Sequence, residues 1–219
     1  MFIHRHPYPP FIPKNAEKLI IGTLPPPRFS VGELRANDVD FCYGSSDGQL
    51  WVILDKIFNL NLTYKNTPIA VTERKKFLIE NKIGICDMVE SCKREKPDAT
   101  DLGMKDVKMR NLIGFLKKYS SINTLLFTGG LTKNGPGYFF KKHLQENGLK
   151  WTLTDNNTPK IHQFELDSRQ IKAVSLTAPS GSANRAVGSF ADYKLLKQQN
   201  SEFTTIDYRV MQYKRFFKA

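Results

Sequence analysis

The run Lys18-Leu19-Ile20-Ile21, halted by Gly22-Thr23 and followed by Leu24-Pro25-Pro26-Pro27-Arg28, constrains this chain more than any other stretch. A short apolar run closed by Gly and Pro reads as a buried strand feeding a rigid loop, because proline cannot continue a sheet ladder. Ligands in open α/β sheets sit at such strand ends, so residues 22–28 are a candidate wall of a site. A second apolar strand, Ala173-Val174-Ser175-Leu176, ends in the small, polar stretch Thr177-Ala178-Pro179-Ser180-Gly181-Ser182-Ala183-Asn184-Arg185. Between them lies Phe41-Cys42-Tyr43-Gly44-Ser45-Ser46-Asp47-Gly48-Gln49-Leu50-Trp51, aromatics on either side of a small turn. Two strand-end loops and one aromatic turn are placed to enclose one pocket.

Helical spacing of Leu50, Trp51, Leu54, Ile57 and Phe58 puts a helix directly after that turn. Thr72 reads as the N-cap of a basic helix through Glu80, and Asp106 as the N-cap of a helix carrying Met109, Leu112, Ile113 and Leu116. Residues 123–127 read as a buried strand, and Pro136 opens a helix with Phe139, Phe140 and Leu144 inward. Further strands are expected at 151–154, 161–166 and 171–176, the last two joined by Asp167-Ser168-Arg169-Gln170. Ser189 reads as the cap of a helix with Phe190, Tyr193 and Leu196. A final amphipathic helix, residues 204–219, carries Tyr208, Met211, Phe216 and Phe217. Residues 1–17 read as an extended, proline-rich arm. Helices alternating with buried strands imply one domain, 1–219, built as a three-layer α/β/α sandwich.

Three cysteines, Cys42, Cys86 and Cys92, without CxxC spacing suggest neither a disulfide framework nor a zinc or iron–sulfur site. The histidines His4, His6, His143 and His162 are scattered and read as core or surface side chains rather than metal ligands. No run approaches the ~18 apolar residues of a membrane span, and the first residues lack the apolar core of a signal peptide. A soluble, cytoplasmic monomer is expected. The formal net charge of +12 is the strongest compositional pointer to a partner, because Lys and Arg neutralise phosphates and release counterions. Solvated charged faces would give the same total.

Taken in order, several blocks resemble the uracil-DNA glycosylase superfamily, most closely its hypoxanthine-DNA glycosylase-like branch. His6-Pro7-Tyr8-Pro9-Pro10-Phe11 is similar to the branch's aromatic-proline lead-in, and residues 19–25 to its first motif, a strand followed by Gly-x-x-Pro. Residues 43–51 resemble its tyrosine-to-tryptophan turn. Residues 84–95 resemble its Trp-Asp-Val block and the Ser-Cys-x-Arg stretch that follows. Leu125-Leu126-Phe127-Thr128-Gly129 resembles its third strand, and residues 179–185 its Pro-Ser-x-Ser second motif. The resemblance runs from about residue 6 to residue 190. It implies a central, mainly parallel four-stranded sheet and a monofunctional DNA glycosylase of base excision repair. Such an enzyme takes deaminated DNA as its partner and needs no metal or cofactor.

Such an enzyme extrudes a base, holds its edge, and stabilises both the departing base and the cationic sugar. The resemblance puts Phe41 and Tyr43 where the family stacks an aromatic on the base; packing against Trp51 is an equal reading of the same residues. Thr128 stands where many relatives carry an Asn that reads the base edge, and Gly22 and Thr23 can bring backbone N–H groups close to a ligand. Relatives carry Asp or Asn where this chain has Leu24, beside Pro25, and Leu24 has no polar atom to position water. The branch instead uses an Asn in its Tyr-to-Trp turn; that place is Gly48 here, with Asp47 beside it. Asp87, at the end of Ile83-Gly84-Ile85, is the other acid. It either orients water and offsets sugar charge or ties two loops together. Ser180, Ser182, Asn184 and Arg185 are matched to the motif that grips DNA, with Arg28, Lys93, Arg94 and Lys96 extending the basic surface. Residues 129–135 lack the Gly-Lys-Ser/Thr of a phosphate loop. Two readings of another kind stand beside the enzyme: a DNA-binding protein that kept the fold and lost the chemistry, and an N-glycosidase of free nucleosides.

Overall fold

The computed structural model describes residues 1–218. Strands are β1 (Phe2–Arg5), β2 (Lys18–Ile21), β3 (Ile83–Ile85), β4 (Val89–Arg94), β5 (Lys105–Met109), β6 (Thr124–Phe127), β7 (Thr152–Asp155), β8 (Lys160–Leu166) and β9 (Arg169–Ser175). Helices are α1 (Pro27–Ser30), α2 (Leu50–Phe58), α3 (Pro68–Glu80), α4 (Leu112–Lys118), α5 (Pro136–Glu146), α6 (Asn184–Ser189), α7 (Ala191–Gln199) and α8 (Thr205–Phe217). Among the described residues no helix is long and apolar enough to cross a membrane.

The main sheet has the order β3-β2-β6-β9-β8-β7. Its first four strands are mutually parallel, and β8 and β7 add antiparallel pairs beyond β9. The expected count of four strands is therefore corrected to six. The reason is local: β8 and β9 are joined through Asp167 and Ser168, both at positive φ (50° and 60°). A connection this tight makes a hairpin and leaves no length for a parallel crossover. Alternate residues of the parallel strands feed the two faces. Leu19, Ile21, Leu125 and Phe127 pack with α4 and α5, whereas Ile20, Leu126 and Val174 pack with α2, α3 and α8. Helices cover both faces, which gives the three layers.

A second, antiparallel sheet, β1-β4-β5, was not expected. Residues 2–5 of the arm pair with β4, and Asp106 lies inside β5 at φ 48° rather than capping a helix. The caps of α3 and α4 are Thr67 and Asn111, whose side chains accept from Ala70 N–H and Gly114 N–H. Ser189 closes α6, and α7 begins after Phe190. The last helix runs Thr205–Phe217 behind a capping box formed by Thr204 and Asp207; Met211 is exposed on it, and residue 219 lies outside the described residues.

All four parallel strands point their C-terminal ends the same way. Gly22 follows β2, Asp87 follows β3 by two residues, Thr128 follows β6, and residues 176–182 follow β9. Four separated segments thus converge on one edge of the sheet.

Candidate active site

A cavity of about 400 Å³ opens at that edge, within the range of small-molecule sites. Gly22, Thr23, Leu24, Pro25 and Pro26 form one wall, Tyr43, Gly44, Ser45, Asp47 and Gly48 a second, and Ser180, Gly181 and Ser182 a third, with Asp87 and Thr128 also lining it. The second and third walls are stitched together by a bridge between Gly48 and Ser180 and by the Gln49 N–H donating to Pro179 O at 2.8 Å.

Asp87 is the centre of a buried network. Its Oδ1 accepts from Gly22 N–H at 2.8 Å and Tyr43 Oη at 3.1 Å, and its Oδ2 accepts from His6 Nε2 at 2.9 Å. His6 Nδ1 accepts Tyr8 N–H at 3.1 Å, so the ring proton of the neutral imidazole sits on Nε2, facing the carboxylate. Burial pushes the Asp87 carboxyl up, but the hydrogen bond from His6, the positive charge of Arg110 and the Gly22 amide outweigh it, and the group is held below the usual carboxylate range. These bonds use three of about four lone-pair positions, two on Oδ1 and one on Oδ2. Tyr43 adopts φ 58°, a costly conformation for a tyrosine, and its hydroxyl also meets Thr128 Oγ1 at 3.0 Å. Burial raises the Tyr43 pKa well above that of a free phenol.

Gly22 does a different job from the expected one. Its N–H is used on Asp87, and a Cβ there would lie 2.3 Å from Tyr43 Oη and 2.9 Å from Asp87 Oδ1. Only glycine lets these two side chains approach the strand end. Leu24 and Pro25 supply apolar wall.

Phe41 is not in the cavity. It is 5% exposed and packs among Tyr8, Phe11 and Trp51, so Tyr43 alone of the two rings meets the pocket. Asp47 lines the rim, but its side chain is 63% exposed and ion-paired with Arg35 at 3.0 Å and Arg28 at 3.4 Å. That carboxylate is compensated by cations and open to solvent, a poor setting for activating water.

Two arginines matched to the DNA surface turn inward. Arg28 grips Asp38 through Nε and Nη2 at 2.7 and 2.9 Å and donates to Ser45 Oγ at 2.8 Å, bracing the second wall. Arg94 is 1% exposed; its Nε donates to His4 Nδ1 and its Nη1 to Thr100 O. Arg94 is closed to a phosphate, and Arg28 has its Nε and Nη2 committed to Asp38 and Ser45. Lys93 is exposed beside Asp106. Asn184 accepts from Arg209 and Thr205 and so holds a loop rather than a ligand. Arg185, Ser182 and Gly181 are exposed at the tip of the third wall.

Several residues that matter here had no role assigned from the sequence. His6 opens the aromatic-proline lead-in but reads there as a core or surface histidine; only the fold carries the arm past β3 to reach Asp87. Arg209, fully buried in α8, donates to Ala178 O at 2.9 Å, Asn184 Oδ1 at 2.9 Å, Ser180 O at 3.1 Å and Thr205 O at 3.2 Å. Gln212 Oε1 accepts Thr177 N–H, and Tyr213 Oη donates to Thr177 O, both at 2.8 Å. The last helix therefore fixes the backbone of the third wall.

No family model matches the sequence, and no curated protein is similar to it. A solution NMR structure from Methanosarcina acetivorans, of a protein provisionally assigned as a uracil DNA glycosylase, superposes with a TM-score of 0.59 at 18% identity, over 99% of this chain and 98% of that one. The chain has a uracil-DNA-glycosylase-like fold. At that identity the likeness concerns the fold, and the chemistry must be argued from the cavity.

Proposed function

We propose that this protein is a monofunctional DNA glycosylase, allied to the hypoxanthine-DNA glycosylase-like branch, that hydrolyses the N-glycosidic bond of a deaminated base, uracil or hypoxanthine, and leaves an abasic site. It acts as a single-domain, cytoplasmic monomer. The observation that carries this reading is the buried Asp87, accepting from Gly22, Tyr43 and His6 and lining a cavity at the C-terminal ends of the parallel strands. A base taken out of the stack enters the cavity against Tyr43 and the Leu24–Pro26 wall. As the bond to the base lengthens, positive charge develops on the sugar, and a fixed carboxylate in a water-poor site offsets it. The remaining Oδ2 lone pair orients the attacking water. Ser180, Ser182 and Arg185 hold the DNA backbone at the mouth.

The reading as a DNA-binding protein without chemistry is favoured by Leu24 at the usual water-positioning place and by the ion pairs that occupy Asp47. Oligonucleotides containing uracil, hypoxanthine or xanthine, treated with the protein and then with alkali, separate the two. Strand cleavage at one or more of these bases is expected; intact strands with all three would overturn the enzyme.

Binding itself has a signature. With net charge +12 and exposed Arg185 at the mouth, affinity for DNA should fall steeply as salt rises, each neutralised phosphate contributing about one to the log–log slope. Arg185→Ala should reduce both the affinity and that slope. Fluorescence anisotropy titrations from low to physiological salt would reveal it, and a flat profile would remove the polyanion argument.

A further inference from the structure

Two threonines, Thr23 and Thr128, line the cavity, and the hydrogen bonding around their hydroxyls fixes the polarity of each. Thr23 Oγ1 donates to Asp101 Oδ1 at 2.7 Å. A hydroxyl has one proton, so Thr23 has only lone pairs left for a group in the cavity. Thr128 arrives at the same state by another route. Tyr43 gives its single proton to Asp87, which as a carboxylate can only accept. Thr128 must then donate, either to Tyr43 Oη at 3.0 Å or to Ile21 O at 3.3 Å. Both protons point into the protein.

The rim has the opposite polarity. Ser45 Oγ accepts from Arg28 Nη2 at 2.8 Å and from Asp47 N–H at 3.2 Å, which leaves its own proton to give. Ser180 and Ser182 share one hydrogen bond at 2.9 Å, and the hydroxyl that accepts in it keeps a proton. The cavity thus accepts at the strand ends and donates at the mouth.

Deamination changes the same property of a base. Ring N3 of cytosine and ring N1 of adenine carry lone pairs; in uracil and hypoxanthine those nitrogens carry hydrogen. An N–H meeting a fixed acceptor gains a hydrogen bond, whereas a lone pair meeting it leaves two acceptors desolvated face to face. We propose that Thr23, held as a fixed acceptor by Asp101, acts with Thr128 to select the ring N–H that deamination creates. This rests on the reading of the cavity as the pocket of an extruded base. Thr23 is the specificity-determining contact and Asp101 its positioning residue.

Asp101 is itself held in place. It opens the turn Asp101–Gly103, and Asn134 Nδ2 donates to Asp101 O and Met104 O, each at 3.1 Å. Burial raises its carboxyl pKa, opposed by the Thr23 bond and by Arg94. Nothing in the sequence pairs residue 101 with residue 23; they meet because the loop after β4 folds back over the end of β2.

The test uses the full chain and oligonucleotides bearing cleavage-resistant 2′-fluoroarabino-uridine or 2′-fluoroarabino-cytidine, with affinities read by fluorescence anisotropy. Wild type should prefer uracil by about 10-fold or more. Thr23→Val should bring the two affinities to near parity, and Thr23→Ser, which keeps the hydroxyl and its bond to Asp101, should restore the preference. Asp101→Ala, which frees the Thr23 proton to turn outward, should lose the preference with Thr23 still present. A Thr23→Val protein with wild-type preference, or a wild type that binds both analogues equally, would overturn the proposal. Excision of uracil by that same protein would leave the glycosylase reading standing. Absence of excision of uracil, hypoxanthine and xanthine alike rejects the enzyme instead, while the analogue affinities still decide the polarity.

Discussion

Asp87→Asn should lower the rate of base excision by about 100-fold or more and, at the same time, destabilise the fold by about 3 kcal/mol. The carboxylate accepts from Gly22, Tyr43 and His6. An amide has one oxygen. If that oxygen stays with Gly22 and Tyr43, the new NH₂ group faces His6 Nε2–H; the imidazole cannot yield by changing tautomer, because its Nδ1 already accepts Tyr8 N–H. Two donors are left facing each other in a buried place, and the charge proposed to offset the sugar is gone. Turnover under saturating substrate, with thermal melting as the check on folding, measures both effects. A variant that melts lower but turns over at the wild-type rate would assign Asp87 a purely structural role. The pH dependence has a definite sign. Since the folded-state pKa lies below the ordinary carboxylate value, the contribution of Asp87 to stability is complete above about pH 4, and it is lost as pH falls through the depressed value.

Arg209→Met is expected to cost about 3 kcal/mol or more, seen as a fall of roughly 10 °C in melting temperature for a chain of this size. Methionine keeps the apolar stem but removes the guanidinium donor from the carbonyls of Ala178, Ser180 and Thr205 and leaves the Asn184 side chain with Thr205 Oγ1 as its remaining donor. Three of those four acceptors, Ala178, Ser180 and Asn184, lie in the segment that carries the third wall of the cavity, so the loss should reach function as well. Affinity for DNA should weaken in the variant even at temperatures where it stays folded. Unchanged melting would mean that the loop is held by its own turns and by the bridge to Gly48.

These two residues mark the limit of what the chain discloses in one dimension. The strands beneath the site were legible because runs such as Leu19-Ile20-Ile21 and Leu125-Leu126-Phe127 are apolar on every residue and stop at Gly or Thr, as strands buried on both faces do. The helix after the aromatic turn was legible from its spacing. The second sheet was not: β1 and β5 are mostly exposed strands with no continuous apolar run, and the bulged register of β4 against β5 breaks any simple alternation. Caps were misplaced by a few residues because Thr67 and Thr72, or Asp106 and Asn111, are equally good N-caps by type, and only tertiary packing decides where the helix begins.

The site divided along the same line. Loops that follow strands could be assigned to one pocket, since topology alone brings their ends together. Side-chain direction could not. Phe41 and Tyr43 are two residues apart, yet the positive φ of Tyr43 turns one ring to the cavity and leaves the other in the core. Arg28 and Arg94 are basic residues in loops and strands near the site, as phosphate contacts usually are, but Asp38 and His4 draw them inward. Pairs such as His6 with Asp87, or Thr23 with Asp101, are separated by 81 and 78 positions and leave no trace in spacing.

If the cavity built around Asp87 releases a deaminated base from DNA, as proposed, free base is the direct product. Incubation of wild type and Asp87→Asn with an oligonucleotide carrying a single uracil or hypoxanthine, followed by chromatographic quantification of the free base, measures this directly. Free base and alkali-labile sites are expected in equal amounts with wild type, on at least one of the two substrates, and at least about 100-fold less of both in the same time with Asp87→Asn. DNA bound by the wild type with no free base released from either substrate would contradict it.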